Sequence, residues 1–302
     1  MFSNKSLRNL IVPLIVEQML AVTIGIADTV MVSTCGEAAV SGISLVDSIN
    51  LLLITVFSSL ATGGAVIAAQ YIGRGDRKNA GSAAKQLFYS ILALSVVIAV
   101  LAVAVRQPAL RLIFGSIEPD VMANAQVYFL LSAVSYPFLG IYNAGAALFR
   151  SMGDSKTSML ISLMMNTVNV GGNALLIYVF NMGVAGAATA SLFSRIAGAV
   201  IITLLLCNPH RTICYDRLHK IELHWPMIKR ILQIGVPNGL ENSIFQIGKL
   251  LVASIVAGFG TVSITANAVA GNLASIQTIP GTAVGMAMIT VVGQCIGAIL
   301  LH

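Results

Sequence analysis

The sequence predicts an all-α polytopic membrane protein with about eight transmembrane helices, arranged as a complete six-helix N-terminal lobe and the first two helices of a pseudo-symmetric second lobe. Three observations predict it. Of 302 residues, 57% are hydrophobic and only 9% charged, with a mean hydropathy of +0.90; a soluble domain carries about 25% charged residues. Apolar stretches of the length that crosses a hydrocarbon core, about 20 residues, recur along the whole chain, without the alternation of a transmembrane barrel. Finally, the pattern repeats itself once.

Eight helices follow in order: 10–33, 43–70, 87–105, 122–148, 158–180, 184–207, 232–257 and 262–301. The first follows Lys5 and Arg8, which gives it the look of a signal peptide, but Glu17, Asp28 and the lack of a small-residue cleavage site mark it as a retained helix. The second ends at "QYIG", before the charged run "RGDRKNAG". The third and fourth are plain apolar runs, and "SMGDSKT" leads into the fifth. The sixth follows "MGVAGAA", and the seventh opens on "VPNGLENS". The eighth contains "QCIG" and runs to the end of the chain.

The internal repeat appears on sliding the chain by 224 residues without gaps. "VPLIVE" (12–17) falls on "VPNGLE" (236–241), "QYIG" (70–73) on "QCIG" (294–297), Val32 on Val256 and Gly36 on Gly260. A shift of six helices, an even number, makes these parallel repeats about an axis along the membrane normal. Residues 1–215 then form the N-terminal lobe and 216–302 the start of the second. Doubling the period implies a parent of about 450 residues. The chain therefore reads as truncated after its eighth helix, with the tail "AILLH" of doubtful origin.

Charge placement gives the topology. Thirteen of the 17 basic residues fall on one side: Lys5 and Arg8, then Arg74, Arg77, Lys78 and Lys85, then Arg150 and Lys156, then Arg211, Arg217, Lys220, Lys229 and Arg230. The opposite loops hold Arg106 and Arg111. The positive-inside rule makes the N-terminus cytoplasmic. Topology thereby accounts for the net charge of +6, and nucleic-acid binding is not expected. Cys35, Cys207, Cys214 and Cys295 form no CxxC, and His210, Cys214, His219 and His224 fit no metal-ligand spacing, so no metal site is expected and the segment reads as a solvated loop.

Four carboxylates lie within helices: Glu17, Asp28, Asp47 and Glu241. Each costs about 2.5–3.5 kcal/mol at a helix centre, so each needs a partner or a water-filled cavity. Glu17 and Asp28, eleven positions apart, are offset by about 20° and share one face. Ser44, Asp47, Thr55, Ser58 and Thr62 make a second polar stripe, and Asn166, Asn169 and Asn173 a third. Three stripes outline a hydrated cavity, with Met19, Met31, Met159, Met164 and Met165 as candidates for its walls. Asp28 either bonds a neighbouring helix or binds a cation or proton. Pro13 and Pro237 are either first-turn residues or bends. Glu17 and Glu241 either tie helix ends or meet substrate. Arg195 pairs with a carboxylate or backbone carbonyls, and Lys249 pairs with Glu241 or competes with cations.

Five stretches carry a resemblance to a known family: "VPLIVEQMLAVTIGIADTVMVSTCG", "AAQYIGRGD", "LFRSMGDSKTSM", "MGVAGAATAS" and "IGVPNGLENSIFQIGKLL". In that order and spacing the chain resembles the MATE (multidrug and toxic compound extrusion) transporters along its whole length. The resemblance implies a secondary antiporter that exports cationic or amphiphilic small molecules in exchange for H+ or Na+ by rocking two lobes. It implies a cation or proton site at Asp28, Asn169 and Asn173, to which Ser191 adds a neutral oxygen, and a bend at Pro13 that responds to the charge on Asp28. Asn173 stands where many members carry aspartate, which puts a proton relay there in doubt. Phe245 stands where sodium-linked members carry glutamate.

The same reading implies no cofactor beyond the coupling ion, no enzymatic activity, a monomer and a prokaryotic inner-membrane location. A lipid or polysaccharide flippase of the same superfamily and a transport-inactive remnant are the competing readings. Four intramembrane acids against two bases favour cationic cargo over the flippase.

Overall fold

The computed structural model describes residues 3–114, 118–215, 222–257 and 261–299. Arg217, His219, Lys220 and the last three residues of the "AILLH" tail lie outside these. The elements are α1 (Asn4–Ser33), α2 (Glu37–Gly73), α3 (Arg77–Ala104), α4 (Arg106–Phe114), α5 (Pro119–Ser151), α6 (Ser155–Asn173), α7 (Gly183–Leu206), α8 (Trp225–Ala257) and α9 (Thr261–Ile299). Seven of these segments, α6 counted with its continuation, are long and apolar enough to cross a membrane among the described residues.

Two turns use one device. Gly75 and Gly153 adopt φ of 72° and 83°, a left-handed conformation that glycine takes without steric cost. The amides of Gly75 and Asp76 donate to the carbonyls of Ile72 and Tyr71, and those of Gly153 and Asp154 to the carbonyls of Arg150 and Phe149, so both helix ends close in the same way. Asp76 and Asp154 then cap the next helix, accepting the amides of Asn79 and Thr157 at 3.0 and 3.1 Å. The Asn79 backbone amide, helped by its side chain, holds the Asp76 carboxyl below the usual carboxylate range.

Because Asp76 starts α3 early, Arg77, Lys78 and Lys85 occupy its first turns and not the loop expected for them. Arg106 and Arg111 likewise sit on the short α4, which anchors itself by burying Leu110. The fifth expected helix does not run on as a regular α-helix; it widens into a π-helical segment over Ala174–Val179, directly after Asn173.

Both prolines lie inside their helices, which overturns the first-turn reading. Ser3 caps α1 through the amide of Ser6, so Pro13 falls more than two turns in, and Pro237 is equally interior to the helix that starts at Trp225. Each removes a backbone donor and crowds the carbonyl one turn back.

The core forms between α2 and α5, with α3 and α7 on α5 and α1 on α6. Phe57 and Tyr136 meet in a tilted pair at 6.3 Å in its centre. On one side α8 and α9 pack against α2, and α9 also packs against α1. The repeated tetrapeptides cross each other there. A Cβ added at Gly73 would run into the backbone of Gln294, and one added at Gly297 into the backbone of Gln70. These are the same contact seen from the two copies, 224 residues apart. Small residues allow such close approach between membrane helices. Gly63 and Gly235 do the same for α2 and α8, while Leu10, Leu14, Ala283 and Ala287 fill the matching α1–α9 contact.

Side chains of α9 finish the end of α5: Thr290 donates to the Arg150 carbonyl at 2.8 Å and Gln294 to the Ser151 carbonyl at 2.7 Å. The Ser151 carbonyl is one the helix itself leaves free, and the Arg150 carbonyl, which already accepts the Gly153 amide, takes a second bond. All these contacts lie at the end of the bundle that carries the N-terminus.

Candidate functional site

A cavity of about 160 Å³ opens between α1, α2, α5, α6 and α7. Gly25, Asp28 and Val32 supply one wall, Ser44 and Asp47 another, and Tyr128, Asn173, Ser191 and Arg195 the rest. Its size suits an ion with a few waters and falls short of the roughly 300 Å³ a drug-sized ligand needs.

Asp28 is half-buried and its Oδ1 accepts the Asn173 side-chain amide at 2.6 Å. Asn169 donates to the Ser191 hydroxyl at 3.0 Å, and its own Oδ1 lies 3.4 Å from the Asn173 amide nitrogen. The four residues named from sequence thus form one chain across α1, α6 and α7. Asn173 is 1% exposed, and its Oδ1 has no hydrogen-bond partner among the described residues. A buried acceptor without a donor costs about 1–3 kcal/mol, which a cation or water at that position removes. Carboxylate, amide and hydroxyl oxygens are the donor set of a hard cation.

Asp47 heads a second chain. Its Oδ1 accepts the Tyr128 hydroxyl and the Asn50 amide, each at 3.2 Å; Asn50 in turn accepts the Tyr136 hydroxyl at 2.9 Å. Arg195 donates to the Ser135 hydroxyl, in place of the carboxylate or carbonyl expected for it. Tyr128, Ser132, Ser135 and Tyr136 are not among the residues expected from sequence. Their spacing, a single helical stripe within an apolar window, was the signal that could have found them.

The second polar stripe serves two places: Ser44 and Asp47 line this cavity, while Ser58 and Thr62 line a smaller one between α2, α5 and α9. None of the five methionines lines the Asp28 cavity; Met165 packs against Gly198. Asn166 completes the third stripe with a buried amide nitrogen that has no partner.

Glu17 lies apart from the cavity. It is 7% exposed, pairs with Arg150 at 3.3 Å and accepts the Ser158 hydroxyl at 2.9 Å, which ties α1 to the end of α5 and the start of α6. Sequence placed Arg150 in a loop; it belongs to the last turn of α5.

Glu241 is exposed and makes no ion pair among the described residues, so the expected Glu241–Lys249 pair does not form. Lys249 instead lies over the Phe245 ring at 4.8 Å, a contact one turn apart on α8. Among the described residues no group of His, Cys, Asp and Glu could hold a metal ion.

Comparison with known proteins agrees with this architecture. The MatE family model matches residues 13–175. The probable multidrug resistance protein NorM of Thermotoga maritima is 27% identical over 300 residues, covering 96% of this chain and 63% of that protein. The uncharacterized transporter YisQ of Bacillus subtilis is 27% identical over 302 residues, covering 97% of this chain and 64% of that protein. The chain thus spans less than two thirds of the length of these relatives. A solved outward-facing conformation of a multidrug resistance MATE family transporter of the MOP superfamily superposes with a TM-score of 0.89 at 22% identity, over 97% of this chain and 65% of that one. At that identity the likeness is one of fold.

Proposed function

The chain belongs to the MatE family, and on that premise we propose that it acts in secondary active antiport, exporting cationic or amphiphilic small molecules in exchange for H+ or Na+ by alternating access. One observation carries the reading: Asp28 faces a polar cavity beside the buried, unpartnered Oδ1 of Asn173. A carboxylate there changes net charge when it takes or releases a cation, and Asn173, an amide, cannot take the proton itself. Na+ is therefore the ion the neutral oxygens suit best, and H+ acts through Asp28.

Alternating access needs two lobes that meet at one end and part at the other. The crossing at Gly73 and Gly297 joins α2 and α9 at the N-terminal end; the positive-inside rule supports a cytoplasmic side for that end, and the bacterial relatives support a prokaryotic inner membrane. This arrangement corresponds to a state closed to the cytoplasm, working as a monomer.

Ethidium efflux from vesicles with an imposed pH or Na+ gradient tests the proposal. Gradient-driven efflux in the wild type and its loss in Asp28→Asn are expected. Efflux that persists unchanged in Asp28→Asn removes that residue from the coupling.

A further inference from the structure

The cation site proposed above contains one carboxylate, yet the cavity holds two carboxylates and a guanidinium. Asp47 from α2 and Arg195 from α7 line the same space as Asp28. Among the described residues neither is tied off by an ion pair: Asp47 accepts from the neutral Tyr128 and Asn50, and Arg195 donates to the neutral Ser135. These contacts orient the two charges and leave both uncancelled by a direct partner. Around the cavity α1 contributes Asp28, α2 Asp47, α5 the phenols Tyr128 and Tyr136, α6 only amides, and α7 Arg195. The neighbouring α9 carries no acidic or basic residue anywhere along Thr261–Ile299.

The cavity charge is therefore two negatives and one positive, a net of −1. At about 160 Å³ the space is small and walled by protein, where charges act on one another far more strongly than in bulk water.

We propose that Asp47 is the second acidic residue of the coupling-ion site and Arg195 its built-in counter-charge, together setting the site to accept one monovalent cation. Asp47 draws the ion into the cavity. Arg195 keeps the two carboxylates from jointly retaining a second cation, so the ion that enters can leave.

The proposal rests on the antiporter reading, and the test separates the two. Retention of ²²Na+ by the purified 302-residue chain is measured for the wild type, Asp47→Asn, Arg195→Gln and the double variant. About a tenfold loss of affinity is expected for Asp47→Asn and about a tenfold gain for Arg195→Gln, shifts ordinary for one charge nearby. The double variant keeps the net charge of −1 and returns toward the wild-type affinity. A purely structural role for either residue does not produce opposite signs with restoration in the double variant.

Wild-type affinity in both single variants, or no Na+ retention by the wild type, overturns the proposal. Each result leaves the antiporter reading standing, which falls only if Asp28→Asn keeps its gradient-driven efflux. Should one variant fail to fold, shown by loss of helical signal, Asp47→Glu and Arg195→Lys replace it. Both keep the charge and must keep wild-type retention; a tenfold loss in either overturns the charge-based account.

Discussion

Arg150→Ala is expected to destabilise the folded protein by about 3 kcal/mol, the low end of what removing one partner of a buried ion pair costs, because Glu17 is buried while Arg150 is only half-buried. Glu17 is 7% exposed, and without Arg150 its carboxylate keeps only the Ser158 hydroxyl. No other basic residue lies within ion-pair distance of it among the described residues. The stranded charge must be solvated by opening the α1–α5–α6 junction. Removing both charges in Glu17→Gln/Arg150→Met is expected to recover most of the loss, because no charge is then left unpaired. Thermal unfolding in detergent reads both variants, and wild-type stability in Arg150→Ala would show that the pair holds nothing together.

The second large effect is expected at the helix crossing. In Gly73→Leu the new side chain meets the backbone of Gln294, which cannot rotate out of the way as a side chain can. Overpacking of this kind costs about 1–3 kcal/mol, or more where backbone must move. The cost applies to the state in which α2 and α9 touch and not to one in which they have parted. Gly73→Leu should therefore separate the two helices at their N-terminal-side end, and Gly297→Leu should do the same through Gln70. Spin labels at Lys156 and Cys295, both exposed on that end, are expected to report a longer distance in either variant. An unchanged distance distribution would mean that the crossing does not set the closed state.

Much of this could be read from sequence for simple reasons. Long apolar runs in a chain with few charges leave helices as the main choice, and the 224-residue register already paired Gln70 with Gln294 and Gly73 with Gly297. The register said that these residues correspond; only the fold could say that they touch. Asp28, Asn169 and Asn173 stood out because polar residues in apolar helices must face one another or water, while their grouping into one site with Ser191 came from the family resemblance.

What stayed hidden was distant or hinged on helix ends. Arg150 lies 133 positions from Glu17, and no spacing rule reaches across two helix hairpins. The first-turn alternative for Pro13 and Pro237 stood open in the sequence because polar and basic residues such as Lys5, Arg8, Lys229 and Arg230 looked like loop, whereas the chain is already helical there. The π-helical segment after Asn173 has no composition of its own. The Glu241 alternative for Lys249 rested on charge alone, while Phe245, one turn away, offered a nearer and less restrictive partner.

The account depends above all on Asp28 being the group whose charge state answers to the coupling ion. Infrared difference spectroscopy on the purified chain, recorded as protons or Na+ are added, measures that directly. A responding carboxylate band is predicted in the wild type and in Glu37→Gln, whose side chain does not line the cavity, and its disappearance is predicted in Asp28→Asn. The same band in Asp28→Asn would contradict the account.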